Sequence, residues 1–245
     1  RYYVNYFKLV PHDVDNLNEN SCVNYVALLR MEEKYAEVET IATELNGIFP
    51  QNTFFKRSII DALISTKYPN LSEEDINLIL EKSDFIIKNE LPDSSYNYRD
   101  YAYLAEAYKA NGEYADYIKW AEKAYQKEPK AINLLPEIAD AYSRTENYDK
   151  AIEISEKFIA QGDTLVQPTD YFFLAGYYGH KALNSEGDAQ VAALAKAEEI
   201  YDQYETMAEI DEQYRGTFMM AEYYNALNNN EKMVEYFILA LNKMG

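Results

Sequence analysis

The chain has 245 residues and a formal net charge of −19, from 42 acidic against 23 basic residues. That field repels phosphate backbones and anionic bilayer surfaces, so composition argues against nucleic acid and lipid surfaces as partners and leaves a basic or neutral one compatible. Hydrophobic residues make up 48% of the chain, with 25 Tyr against a single Trp, while eight Gly and seven Pro are too few to punctuate long β-meanders.

The chain opens Arg1-Tyr2-Tyr3 rather than with Met, so a preceding segment is expected to be missing, and the lack of a signal peptide does not favour the cytoplasm. Residues 1–18 read as the back half of a repeat unit, with Pro11 as its terminator. In 19–52, Cys22, Tyr25, Val26 and Leu29 take the inner face of a first helix, and a second helix ends on Pro50. A lone Cys in such a pattern is expected to be a small buried apolar residue, and no intramolecular disulfide can form. Residues 53–97 read as a helix pair with a lengthened turn, whose second helix opens on a capping box of Ser72 and Asp75.

Two stretches then align without a gap, 98–131 and 132–165. Leu104, Ala105, Tyr108 and Tyr114 recur as Ile138, Ala139, Tyr142 and Tyr148, each 34 residues on. Leu104 and Tyr108 share one helix face, and Ala105 beside them lets a partner helix come close. Asn111-Gly112 ends the first helix, with Gly able to take the left-handed conformation. Ala121 and Ala124 give the second helix a slim face, and Pro129 stops it. The unit 166–213 repeats the roles with Leu174, Ala175 and Tyr178, a second helix delayed by 185–188 and then long. The last, 214–245, repeats them with Met220, Ala221, Tyr224, Phe237 and Ala240.

This pattern resembles the tetratricopeptide repeat. Tyr101, Leu104, Ala105, Tyr108, Ala124 and Pro129 fit its fourth, seventh, eighth, eleventh, twenty-seventh and thirty-second places, as Leu135, Ile138, Ala139, Tyr142 and Ala151 fit in the next unit. Tyr117, Phe158 and Asp163 depart from it, standing where Ala, Ala and Pro are usual. The resemblance implies an all-α fold: an α-α superhelix, a right-handed solenoid of antiparallel helix hairpins, spanning 1–245 as a single array.

In that family the first helices line a concave groove that holds the partner. Carrying the groove places over gives Arg99, Tyr103 and Glu106, then Asn133, Glu137 and Asp140, then Phe172 and Phe173, then Arg215, Phe218 and Glu222. Tyr103, Phe172, Phe173 and Phe218 are aromatics that fall off the core pattern. Family members that grip chaperone carboxyl termini hold the carboxylate with clustered Lys, Asn and Arg. Here Arg99, Lys109 and Arg215 are dispersed among acids, so no such clamp is expected, and an apolar segment with some basic character fits the groove better.

Catalytic patterns are absent from the sequence. His12 and His180 lie far apart and outside any metal-binding spacing, and no Gly-rich phosphate loop appears. Gly176 and Gly179 sit in a first helix, where close packing is the expected use. Glu73, Glu74 and Asp75 open a helix, where acids meet the dipole. The expectation is a non-enzymatic protein- or peptide-binding scaffold without cofactor or metal, exported to a bacterial cell envelope or periplasm and not membrane-spanning. The alternatives are a glycan-binding repeat protein of a nutrient-uptake system and, more remotely, a helical-toroid enzyme.

Overall fold

Four of the helices begin on side-chain caps that the sequence supplies. Asn18 accepts from the Ser21 N–H at 3.0 Å, Asn52 from Phe54 at 2.8 Å and Asn229 from Lys232 at 3.2 Å. Ser72 and Asp75 form the expected reciprocal box: the Asp75 N–H donates to Ser72 Oγ and the Ser72 N–H to Asp75 Oδ2, both at 3.1 Å. The computed structural model describes residues 2–89, 98–208 and 213–244. Among them are thirteen α-helices, two short 3-10 turns and no strand. The end of the 53–97 unit lies outside the described residues.

The chain divides into two compact units, Arg1–Glu128 and Pro129–Gly245. The first holds α1 (Tyr2–Leu9), α2 (Glu19–Met31), α3 (Tyr35–Ile48), α4 (Thr53–Lys67), α5 (Glu73–Asn89), α6 (Tyr98–Ala110) and α7 (Tyr114–Lys127). Helices α2, α4 and α6 each pair with the next in sequence, and α4 also packs on both α2 and α6. Its core takes Val26, Leu45, Phe55, Leu63, Ile79 and Leu104 out of water. Cys22 is fully buried, and burial pushes its thiol up to about 11, which keeps it protonated and inert.

The second unit holds α8 (Leu135–Arg144), α9 (Tyr148–Gly162), α10 (Pro168–Leu183), α11 (Gly187–Met207), α12 (Gln213–Ala226) and α13 (Asn230–Lys243). Its hairpins are α8 with α9, α10 with α11 and α12 with α13, and α10 packs on α12. α11 is the long second helix expected after the delayed start. Tyr117 and Phe158, the two bulky departures from the small-residue pattern, are both buried in their cores.

Four hairpin turns share one geometry. Glu33, Gly112, Glu146 and Asn228 follow their first helices with φ of 56°, 77°, 60° and 58°. In each, the next residue's N–H reaches five residues back, as from Lys34 to the Leu29 carbonyl and from Asn147 to the Tyr142 carbonyl. This is a Schellman closure, which satisfies the carbonyls that a helix end leaves without partners. Only one of the four uses Gly.

Tyrosines tie successive hairpins. Tyr178 of α10 donates to Glu156 of α9 at 2.7 Å, and Tyr224 of α12 donates to Glu198 of α11 at 2.5 Å. Burial, then these bonds, push both phenols far above their ordinary value, so they stay protonated donors. No helix among the described residues is long and apolar enough to cross a membrane.

Candidate partner-binding surface

In the first unit charged side chains link α2, α4 and α6. Arg30 binds Asp61 through Nε at 2.9 Å and Nη2 at 2.7 Å, and the Tyr103 hydroxyl donates to the other oxygen of Asp61 at 2.5 Å. One helix further along, Arg57 grips Asp100 bidentately at 2.9 and 3.0 Å. Asp61 and Asp100 are buried, so each needs its arginine. Burial, then the Asp61 bond, hold the Tyr103 phenol well above its ordinary value. A cleft of about 370 Å³ opens here, walled by Ala27, Arg30, Met31, Tyr35, Asp61 and Arg99.

Of the groove residues expected in this unit, Arg99 is exposed and walls that cleft, Tyr103 bonds Asp61 in its wall and Glu106 is half-buried, 3.8 Å from Lys109. Arg30, Arg57 and Asp61 were not among the sequence candidates. Aligning Ile59, Ile60 and Leu63 with Leu104, Ala105 and Tyr108 would have found two of them, since it puts Arg57 and Asp61 at groove places. The long α4–α5 connection hid that register.

In the second unit, Phe172 and Phe173 meet edge to face with centroids 5.8 Å apart, yet they point to different neighbours. Phe172 packs on buried Tyr204 of α11 at 5.6 Å. Phe173 stays 51% exposed and shares a small pocket with Pro136, Ser155, Phe158, Asp170 and Tyr177. Phe218 is 42% exposed and rests edge-on against Phe237 of α13 at 5.4 Å. Asp140 pairs with Arg144 at 2.6 Å, while Asn133, Glu137, Arg215 and Glu222 lie exposed. Asp170, whose carboxylate accepts the Gln167 N–H at 2.7 Å, is pushed up from the ordinary carboxylate value by burial.

Both histidines are held by structural contacts among the described residues. His12 sits between Glu44 and the Phe7 carbonyl, each at 2.5 Å, and its pKa is raised, chiefly by the carbonyl bond. His180 stacks on Tyr148 at 5.3 Å and meets Tyr223 edge-on at 5.5 Å; its outer edge is exposed, and burial of the rest lowers its pKa.

The chain matches no protein-family model, and no curated protein matches it in sequence. Solved structures do match its fold. The C-terminal part of a TPR repeat-containing protein from Cytophaga hutchinsonii superposes with a TM-score of 0.60 at 12% identity, over 90% of this chain and 78% of that one. MamA superposes with a TM-score of 0.52 at 17% identity, over 70% and 90%. The pilF protein of Pseudomonas aeruginosa gives 0.51 at 11% identity, over 90% and 89%.

The chain has a tetratricopeptide-type fold. Within this fold, the aromatics off the core pattern acquire structural roles. At the fifth place, Phe172 and Phe218 pack on the second helix of their own hairpin. At the sixth, the side chain turns to the preceding first helix: Tyr103 bonds Asp61 of α4, and Phe173 shares its pocket with Pro136 of α8. Tyr103, Phe172, Phe173 and Phe218 lie on first helices, and sequence spacing alone does not separate the anchored rings from those left to solvent.

Proposed function

We propose that the protein is a non-enzymatic scaffold that holds a protein or peptide segment on the exposed faces of its first helices. The carrying observation is that Phe173 and Phe218 remain 51% and 42% exposed on such helices, on a unit where Glu137 and Glu222 are exposed as well. Covering these aromatic faces on binding removes apolar surface from water, a favourable contribution. Acids on the same helices favour an occupant with Lys or Arg beside its apolar side chains. Phe172, anchored on Tyr204, serves as support rather than contact.

Panning a displayed random-peptide library on the chain, and on a Phe173→Ala/Phe218→Ala variant, tests this. Enriched peptides should combine apolar residues with Lys or Arg and lose at least about tenfold in affinity for the variant, roughly 1.4 kcal/mol. Peptides that bind both forms equally would remove these faces from consideration.

A further inference from the structure

Helix α7 carries a feature that the first-helix surface does not absorb. Trp120, the sole tryptophan, stacks on Tyr101 of α6 with centroids 5.8 Å apart and planes 17° apart. Lys119 Nζ lies 4.8 Å and Lys123 Nζ 4.4 Å from the Trp120 ring, and Lys123 also lies 5.9 Å from the Tyr101 ring. Both lysines are exposed, and neither has a carboxylate partner among the described residues. In a chain with 42 acids, two neighbouring lysines held by rings alone stand out from Lys67, Lys88, Lys150, Lys181 and Lys196, all of which hold carboxylates. Beside the stacked rings an open cleft of about 360 Å³ is lined by Tyr101, Lys123, Gln126 and Lys127.

We propose that this face of α7 is a second binding site, for a short acidic peptide segment. Lys119 and Lys123 stand four residues apart, so their stems are offset by about 6 Å along the helix. Carboxylates at alternate positions of an extended peptide recur at about 6.6–6.8 Å and match that offset. The overall charge of −19 selects for shortness. A local cationic patch attracts within a Debye length of about 8 Å, while a long polyanion also meets the repulsive remainder of the surface.

Trp120 reports on its own site through its fluorescence. The probe is the pentapeptide Glu-Leu-Glu-Leu-Glu, titrated into the full chain, with Lys-Leu-Lys-Leu-Lys and a thymidine oligonucleotide as comparisons. The expected result is a saturable change in Trp120 emission with the glutamate peptide only, weakening as salt rises. Lys119→Gln/Lys123→Gln should lose at least about tenfold in affinity with helix content unchanged, whereas Lys88→Gln/Lys150→Gln, which removes the same charge elsewhere, should bind as the parent does. No saturable change, equal loss in both double variants, or tighter binding of the oligonucleotide each overturns the proposal.

Discussion

The ring of Tyr223 lies against the backbone of Gly179: a Cβ at 179 would fall 2.3 Å from Cε2 of that ring. The same Tyr223 hydroxyl donates to the Gly176 carbonyl at 3.1 Å, so α12 is seated on α10 through two glycines with different tolerances. At Gly176 a Cβ would meet Met219 and Tyr223 only at 3.7 Å, an ordinary contact.

Gly179→Ala should therefore destabilise the second unit by about 1–3 kcal/mol, because displacing a packed ring outweighs the helix-propensity gain of about 1 kcal/mol. Gly176→Ala should be neutral or stabilising by up to about 1 kcal/mol. Denaturant midpoints of the two variants would show the opposite signs, and equal midpoints would remove the close-packing account of Gly179.

The Schellman turns make a second contrast. A non-glycine residue in the left-handed region costs roughly 1–2 kcal/mol. Glu33→Gly and Glu146→Gly should each raise stability by about 0.5–1 kcal/mol after the entropy of the unfolded glycine is charged against them. Gly112→Ala should lower it by about 1 kcal/mol. Asn228 tolerates its conformation better, and its replacement by Gly should change less. Thermal unfolding of the four variants checks the order.

Asp61 accepts from both Arg30 and Tyr103 at a buried position. Asp61→Ala leaves a cation and a phenol without their acceptor and should cost about 3 kcal/mol. Asp140→Ala, at the exposed pair with Arg144, should stay within about 0.5 kcal/mol. Chemical denaturation compares them directly.

The two histidines should titrate on opposite sides of the unperturbed value of about 6.5. His12, held by the Phe7 carbonyl and Glu44, is raised. Its stabilising contribution is complete below the unfolded value and is lost as pH rises through the folded one. His180 is lowered by burial. It contributes above the unfolded value and loses that contribution as pH falls through the folded one. With only two histidines in the chain, ring-proton NMR resolves both curves. Coincident midpoints, or an unmoved His12 curve in Glu44→Gln, would contradict the assignment.

How much of this could be read in advance depended on the range of the interaction. Leu104, Ala105 and Tyr108 mark a hairpin by spacing alone, because helix periodicity is local. Gly112 and the Ser72–Asp75 box were legible for the same reason. The Arg30–Asp61–Tyr103 and Arg57–Asp100 links join residues 31, 42 and 43 positions apart, and nothing local announces such pairing. Phe172 and Phe173 are neighbours in sequence with unequal exposure, which only the second helix opposite them decides. Lys119 and Lys123 look like ordinary solvated charges until the carboxylates that could meet them are seen to be elsewhere.

The Tyr178–Glu156 and Tyr224–Glu198 bonds are joints of one kind in successive hairpins: each runs from the tyrosine four residues after Leu174 or Met220 on a first helix to a glutamate on the preceding second helix. A genetic duplication or loss of one whole repeat would therefore carry a donor and an acceptor together and leave neither stranded. The joint is interchangeable along the chain, so repeat number can drift over generations without a compensating change at each new seam.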